Sequence, residues 1–343
     1  MITKSYLIWD YEVILIENEI CLGYSQFKMK SIETGRLIIV ENIAAANNLF
    51  YLKIKIGKNA GNFAPGNFVS ILPPASSGRF LRRPFSVAGI SDDSIELIIK
   101  SIGPVTKSLV SLTEGSEIEI MGPLGNKYQI PGNIKKLWMI GGGTGIASLL
   151  FLNSLRSCES LSKSSSESSF EKSSESLSKS SFENDKVLWA GKTKEQLPSI
   201  DIFSNSRKEF GKESSNIFRK NIFFATDDGS TGEKGTAPEV LEQWLKNDKE
   251  QPDGIVSCGP HGMMKEIKKI ADNRGIPAWF SLEEFMACGT GACAGCAVAS
   301  SAGGYLKVCS DGPVFSGALI KFDSNPRPHV FSRFLTENCE KKQ

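Results

Sequence analysis

The sequence lacks any apolar run approaching the ~20 residues that a membrane-spanning helix needs. It also has almost no excess of charge. Forty Lys and Arg against thirty-eight Asp and Glu leave a net charge of +2, which gives no electrostatic case for nucleic acid or an anionic membrane as the main partner. Histidine is nearly missing: His261 and His329 are the only two, too few for a histidine-built metal centre. No G-x-S-x-G elbow, H-E-x-x-H helix or G-x-x-x-x-G-K-[ST] loop occurs, so hydrolase and P-loop chemistries have no support. The N-terminus meets Asp10 and Glu12 before the apolar core of a signal peptide could form. The expectation is a soluble, cytoplasmic protein without integral membrane association.

What is present divides the chain. Its 343 residues, 40% apolar and 23% charged, suggest about two domains and a small third at ~150 residues per domain. Short β-like runs punctuated by Gly and Pro come first: Gly35–Val40, Leu49–Ile56, Phe68–Leu72, Ser86–Ala88, Ser94–Ser101 and Ser116–Met121. Strands at this spacing, without helical patterns between them, predict an antiparallel barrel or sandwich over 35–133.

From Lys135 the rhythm changes. Strand candidates Leu137–Ile140, Val187–Ala190, Asn221–Thr226 and Gly254–Ser257 alternate with helical stretches Ile146–Leu155, Ala237–Lys246 and Gly262–Arg274. This alternation predicts a doubly wound parallel sheet over 134–276. Inside it, 154–184 is mostly Ser, Glu and Lys and repeats E-S-L-S-K-S-S. So few apolar residues cannot offset the entropy of ordering, and the stretch reads as a solvated, chemically inert insertion in a surface loop or at a helix's C-terminal end; a charged helix extension is the alternative, against which its serine density argues. Residues 277–325 form a small cysteine-rich module, followed by a tail over 326–343; residues 1–34 are an N-terminal extension without an assigned role.

Eight cysteines at this length are no disulfide framework, and Cys21, Cys158, Cys258 and Cys339 are scattered. Cys288, Cys293, Cys296 and Cys309 are different. Their C-x4-C-x2-C-x12-C spacing is that of plant-type 2Fe–2S ligation. The residues between them are almost all small, so backbone can wrap an inorganic core and donate amides to its sulfurs. Structural zinc is the alternative, although zinc sites usually pair two C-x2-C knuckles or Cys with His.

Three further motifs stand out. Gly141-Gly142-Gly143-Thr144-Gly145 links a strand to a helix; such a turn serves either tight packing or the approach of a phosphate to a helix N-terminus. Arg82-Arg83-Pro84-Phe85-Ser86-Val87 can hold a pyrophosphate and stack on a flat ring, or can be an ordinary strand start. Cys258-Gly259-Pro260-His261-Gly262-Met263 closes a late strand, where ligands of parallel sheets bind. There Cys258 is either beside a redox ring or a small core residue, and His261 reads as a helix-entry residue.

In this order, R-P-x-S, G-G-G-T-G, C-G-P-x-x-M and the four-cysteine module resemble the electron-transfer subunits of type B dihydroorotate dehydrogenases, within the ferredoxin–NADP reductase-like superfamily. M-A-C-G-T-G-A-C-A-G-C-A-V and V-C-S-D-G-P-V-F carry most of the likeness, and T-D-D-G-S-T-G-E-K-G adds to it. The resemblance implies FAD on Arg83, Pro84, Phe85 and Ser86, lined by Ile98, Ile99 and Lys100. Val105 and Thr106 stand where the family has Gly-Thr beside the flavin phosphates; Val105 is a departure. Gly141, Gly142, Gly143, Thr144, Gly145, Thr226, Asp227, Cys258, Gly259 and Pro260 would form the NAD site, with Cys258 as the catalytic candidate. The four cysteines would ligate the 2Fe–2S cluster.

The implied partner is an FMN-containing catalytic subunit that oxidises dihydroorotate, in a heterotetramer of two plus two, within pyrimidine (UMP) biosynthesis. Two alternatives stay open: the small subunit of an NADPH-dependent ferredoxin or sulfide oxidoreductase, which often has Asp in place of one cluster Cys, and a non-redox zinc-binding interaction protein. Asp227 and Asp228 suit a free ribose hydroxyl better than a phosphate and so favour NAD over NADP.

Overall fold

The computed structural model describes residues 33–91, 93–162, 185–198 and 220–322, without the side chains of 33–45 and 158–162. The N-terminal extension with Cys21, most of the Ser-rich stretch, and the tail with His329 and Cys339 lie outside them.

Six antiparallel strands come first: β1 (Glu33–Ala46), β2 (Leu49–Lys55), β3 (Phe68–Ile71), β4 (Arg83–Ser91), β5 (Ser94–Lys100) and β6 (Glu117–Leu124). They close into a barrel in the order β1-β2-β5-β4-β3-β6, which leaves no free edge. Side-chain alternation sorts them into two environments. Ile95, Leu97 and Ile99 of β5 point into the barrel with Leu52, Ile54, Val69 and Ile71. Ile98 faces the other way, into a second core with Leu49, Tyr51 and Ala88. A short helix, α1 (Pro104–Val110), adds Val105 and Leu109 to the barrel core.

The second layer is a sheet of β7 (Leu137–Gly142), β8 (Lys186–Gly191), β9 (Ile222–Thr226), β10 (Glu233–Lys234), β11 (Gly254–Cys258) and β12 (Ala278–Ser281), all parallel. Helices α2 (Ile146–Ser162), α3 (Ala237–Asn247) and α4 (His261–Arg274) connect them. A hairpin of β13 (Ala297–Ala299) and β14 (Tyr305–Lys307) follows, and then β15 (Val314–Ser316) returns antiparallel to β12. The sheet order is β10-β9-β8-β7-β11-β12-β15. It therefore takes two strands from 277–325: sheet hydrogen bonding divides that stretch between the sheet edge and the cysteine loop. The barrel beside a parallel sheet is the ferredoxin reductase-like architecture that the motif order implies.

One expectation is corrected. Helix α2 continues past Leu155, and 154–157 are no solvated insertion. Arg156 is buried and forks onto Asp185, Nε to Oδ2 at 2.6 Å and Nη2 to Oδ1 at 3.1 Å. Its Nη2 also donates to the Lys135 carbonyl at 2.8 Å, and Asp185 Oδ1 accepts from the Leu137 amide at 2.7 Å. A serine-rich composition hid a helix end whose one arginine has a buried partner. Among the described residues no helix is long and apolar enough to cross a membrane.

Candidate functional site

In the parallel sheet the chain runs outward on one side of β7 through β8 and β9, and on the other side through β11 and β12. The boundary between β7 and β11 is the switch point, where ligands bind beyond the carboxyl ends of strands. The two glycine motifs leave from these two strands. G-G-G-T-G follows β7 and C-G-P follows β11, and they clasp backbone to backbone. A Cβ on Gly145 would stand 2.6 Å from the carbonyl of Cys258, and one on Gly259 would stand 2.9 Å from the Gly142 amide. Gly141 and Gly142 are likewise closed off, by Ile146 and by Pro260 and Met263. Gly143 differs: it is left-handed at φ +57°, with nothing within 4 Å of its Cβ direction. The packing and ligand readings of the motif thus divide between neighbouring residues, with Gly143 and Thr144 on the open side.

That side opens into a cleft of about 360 Å³. Three parts of the chain wall it: Lys100 at the end of β5, the two glycine loops with His261, and the cysteine-rich stretch through Glu283, Val298 and Phe322. His261 packs edge-on against Phe322, ring centres 5.1 Å apart. Burial and the nearby Lys265 lower its imidazole pKa.

Cys258 does not reach this surface. Its thiol is fully buried, hydrogen-bonded with Ser281 and Ser148, and pushed well above the ordinary range by burial and by Glu283. Tyr128 Oη meets the same Ser148 at 3.0 Å. Thr226 is also fully buried; its hydroxyl donates to the Thr231 carbonyl and accepts from the Thr231 amide, bracing the following loop. Asp227 is exposed there. Asp228, also exposed, accepts from the amide and hydroxyl of Ser230, which lower its carboxyl pKa.

On the barrel, Arg83, Pro84, Phe85 and Ser86 form a half-exposed strip, whereas Val87, Ala88 and Gly89 after them are buried. Arg82 is tied to Glu119 and the Ser70 carbonyl; Arg83 rests on the carbonyls of Leu81 and Arg82. Phe80 and Leu81 are exposed just before the strip, as is Ile102 before α1, and α1 packs against the turn Ala75–Ser77 that precedes them. An open polar strip with apolar neighbours fits a large, flat, phosphate-bearing ring system such as FAD. Of Ile98, Ile99 and Lys100, only Lys100 lines the cleft. Val105 is in the barrel core, and Thr106 Oγ1 accepts from the amides of Ile102 and Gly103.

The cysteine loop is shaped for sulfur. Gly289, Gly291 and Ala294 are all left-handed, and Ala294 is one of few such residues with a Cβ. Amides of Thr290 and Cys293 point at Cys288 Sγ at 3.4 Å, that of Gly291 at Cys309 Sγ at 3.1 Å, and that of Cys309 at Cys296 Sγ at 3.4 Å. Burial would raise the Cys288 thiol, but the amides of Cys293 and Thr290 prevail and bring its pKa to about 6. Cys296 also falls to about 6, chiefly through its hydrogen bond with Cys309, which in turn keeps its proton. The contacts group the sulfurs as Cys288 with Cys293 and Cys296 with Cys309. Two pairs of sulfurs suit a two-iron core.

The electron transfer subunit of dihydroorotate dehydrogenase B (NAD(+)) from Caldanaerobacter subterraneus subsp. tengcongensis is 32% identical to this chain over 261 residues, which cover 75% of this chain and 87% of that one. This chain belongs to the same family. The corresponding probable subunit of Methanocaldococcus jannaschii is also 32% identical, over 76% of this chain and 82% of its own. A family model described as the iron-sulfur cluster binding domain of dihydroorotate dehydrogenase B matches residues 283–321. Among solved structures, the NADH-dependent reduced ferredoxin-NADP oxidoreductase described for flavin-based electron bifurcation superposes with a TM-score of 0.63 at 25% identity, over 88% of this chain and 99% of that one.

The cleft wall contributed by Leu282, Glu283, Glu284, Ala299 and 320–322 is the part that motif reading passed over. Glu283, exposed at the cleft, is one of these residues. Its only signal in the sequence is a carboxylate five positions before the first cluster cysteine, in S-L-E-E-F-M-A-C.

Proposed function

We propose that this chain takes electrons one at a time from the FMN of a dihydroorotate dehydrogenase catalytic subunit, carries them through a 2Fe–2S cluster and FAD, and delivers them in pairs to NAD+ in pyrimidine biosynthesis. The carrying observation is the cleft where the end of a barrel strand, two nucleotide-type glycine loops and the cysteine module meet. Electrons can pass between cofactors only where their sites adjoin, and what supports the reading is that Lys100 of the barrel, the two glycine loops and residues flanking the cysteine loop share one cleft. The partner reading rests on the relatives, named as electron transfer subunits; two chains of each kind is the assembly proposed.

Bound FAD would supply the exchange between single electrons and a hydride pair. This chain's residues bind and orient. Arg83 to Ser86 would hold the flavin on β4, with Lys100 at the cleft and the backbone of Val105 and Thr106 near its phosphates. Gly143 and Thr144 would admit the NAD pyrophosphate to the start of α2, while Gly141, Gly142, Gly145, Gly259 and Pro260 keep the two loops clasped. Asp227 and Asp228 would face the ribose hydroxyls, favouring NAD over NADP; Thr226 and Cys258 would act from behind, bracing the walls. Cys288, Cys293, Cys296 and Cys309 would ligate the cluster, with loop amides tuning its potential.

The test is to purify the chain with its catalytic partner anaerobically and quantify flavin, iron, sulfide and zinc on one sample. FAD with about two irons and two sulfides per chain, and NAD+ reduction by dihydroorotate only when both subunits are present, is the expected result. Zinc without flavin would end the redox reading. The bifurcating oxidoreductase's similar fold motivates one alternative acceptor: electron transfer to ferredoxin, without dihydroorotate oxidation, would favour that circuit instead.

A further inference from the structure

The cysteine loop has two unlike edges. Gly289 and Gly291 are buried, whereas Ala292, Cys293, Ala294 and Gly295 are exposed. The buried edge is seated on the outside of the barrel. A Cβ on Gly289 would stand 3.4 Å from Leu124 Cδ1 and Met121 Cε of β6, and 3.9 Å from Ser70 Cβ of β3. Phe68 and Leu124 extend this seat and share a core with Cys296 and Cys309. The stretch after Cys309 is bolted down as well: a Cβ on Gly125 would stand 2.5 Å from Pro313 Cδ, and Asn126 holds both backbone groups of Val314.

The strand beside this seat is β4, which carries the flavin strip. Directly opposed residues of an antiparallel pair present their side chains on one face. The register sets Ser70 opposite Pro84 and Phe68 opposite Ser86. Pro84 and Ser86 therefore share the outer face with the seat of the cysteine loop, one strand spacing, about 4.8 Å, from Ser70 and Phe68. Phe85 alternates to the other side and packs on the barrel core. Arg82 closes the join, its Nη1 donating to the Ser70 carbonyl at 3.2 Å. The edge at Cys293 meets solvent instead.

We propose that electrons cross between the cysteine loop and the flavin at Cys288 and Gly289, over Ser70 to Pro84 and Ser86, which leaves the exposed Cys293 edge for exchange with the catalytic partner. Ser70 is a positioning residue here: it sets how closely the loop seats beside β4. Each crossing oxidises the cluster by one electron and reduces the flavin by one. No bond forms or breaks at the contact, and two crossings supply the pair that NAD+ takes. The assignment rests on the relay reading above.

The experiment uses the complete complex with Ser70→Leu, which wedges a longer side chain under the loop, or Gly289→Asn, since asparagine tolerates the left-handed backbone found there. Stopped flow follows flavin and cluster at separate wavelengths. With NADH as donor, both variants should reduce the flavin at the wild-type rate and the cluster several-fold more slowly. With dihydroorotate as donor, the cluster should fill at the wild-type rate while the flavin lags. Ser70→Ala keeps the seat and should match the wild type, and iron, sulfide and FAD should be unchanged in all three. A readout independent of turnover is the Met121 methyl resonance in complex labelled at its methionine methyls. It should broaden when the cluster is reduced, and broaden less in Gly289→Asn. Crossing at the wild-type rate in both variants, a delay in cluster filling from dihydroorotate instead, or loss of the cluster from both overturns the proposal. If neither variant accumulates, the wild-type methyl decides: it must respond to reduction of the cluster and of the flavin alike, and indifference to either counts against the crossing. Wild-type complex without FAD or without iron would sink the relay reading itself, a separate failure.

Discussion

Two glycines two positions apart in G-G-G-T-G carry different constraints, and substituting them should separate stability from binding. In Gly145→Ala the new methyl meets the Cys258 carbonyl at 2.6 Å; because backbone cannot yield as a side chain tip can, a loss of about 1–3 kcal/mol is expected in urea unfolding. Gly143→Ala meets open space and bears only the left-handed strain, roughly 1–2 kcal/mol. It also puts a methyl in the cleft, so its NADH KM should rise while Gly145→Ala shows its effect first in stability. A second contrast concerns the cysteine loop. Cys293 is exposed and far in sequence from the β4 strip, so Cys293→Ser should abolish the cluster's visible absorption and leave FAD bound; losing both together would mean that the sites are one. At this scale the grouping of Cys288, Cys293, Cys296 and Cys309 is legible from their spacing, and loop amides reach the sulfurs of Cys288, Cys296 and Cys309 in the fold. The role of Cys258 is not legible, because which way a side chain turns at a strand end depends on Ser148 and Ser281, brought in from elsewhere in the chain.

At the scale of elements, α2 is fastened to the sheet by the Arg156–Asp185 fork. Removing one partner of a buried pair leaves the other uncompensated, so Arg156→Met should cost about 3–5 kcal/mol by chemical denaturation. Arg156→Lys should recover little, since an ammonium cannot reproduce the fork. Helix α3 offers a pH-dependent counterpart. Glu239 accepts from the Thr236 amide at 2.8 Å and hydroxyl at 2.9 Å, and these bonds lower its carboxyl pKa. A lowered folded-state value means that the contribution is present above the ordinary carboxylate range and is lost as pH falls through the folded value. Amide exchange in the first turn of α3 should therefore quicken in acid, and Glu239→Gln should remove that dependence. Most strands and helices were legible from periodicity. The missed ones are α1, a helix of barely two turns in a region read as strands alone, the four-residue β12, and β10 and β13 to β15, which are two or three residues long and too short to establish a period. The end of α2 was missed because serine composition outweighed a single arginine whose partner is remote.

Across the whole molecule, what escapes sequence reading is how the parts are stitched. Phe151 of α2 enters the barrel core. Asn126, just past β6, donates to the Val314 carbonyl at 2.8 Å and accepts from the Val314 amide at 2.9 Å, binding the cysteine-rich stretch to the barrel. These contacts join residues 188 positions apart, and no local pattern announces them, although they hold the cleft walls in place. The same reasoning identifies what can be removed. Between Arg156 and Asp185 the chain need only connect the two halves of the latch, and closure entropy varies only logarithmically with the length of such a connection. Deleting Ser160–Phe182 keeps both latch residues and every described residue that lines the cleft. The variant should reduce its flavin with NADH at the wild-type rate in stopped flow, and its stability should change by no more than about 1 kcal/mol. A large loss of flavin reduction with stability unchanged would place this serine-rich stretch in the electron path, whereas a loss of stability alone would mean that it supports α2.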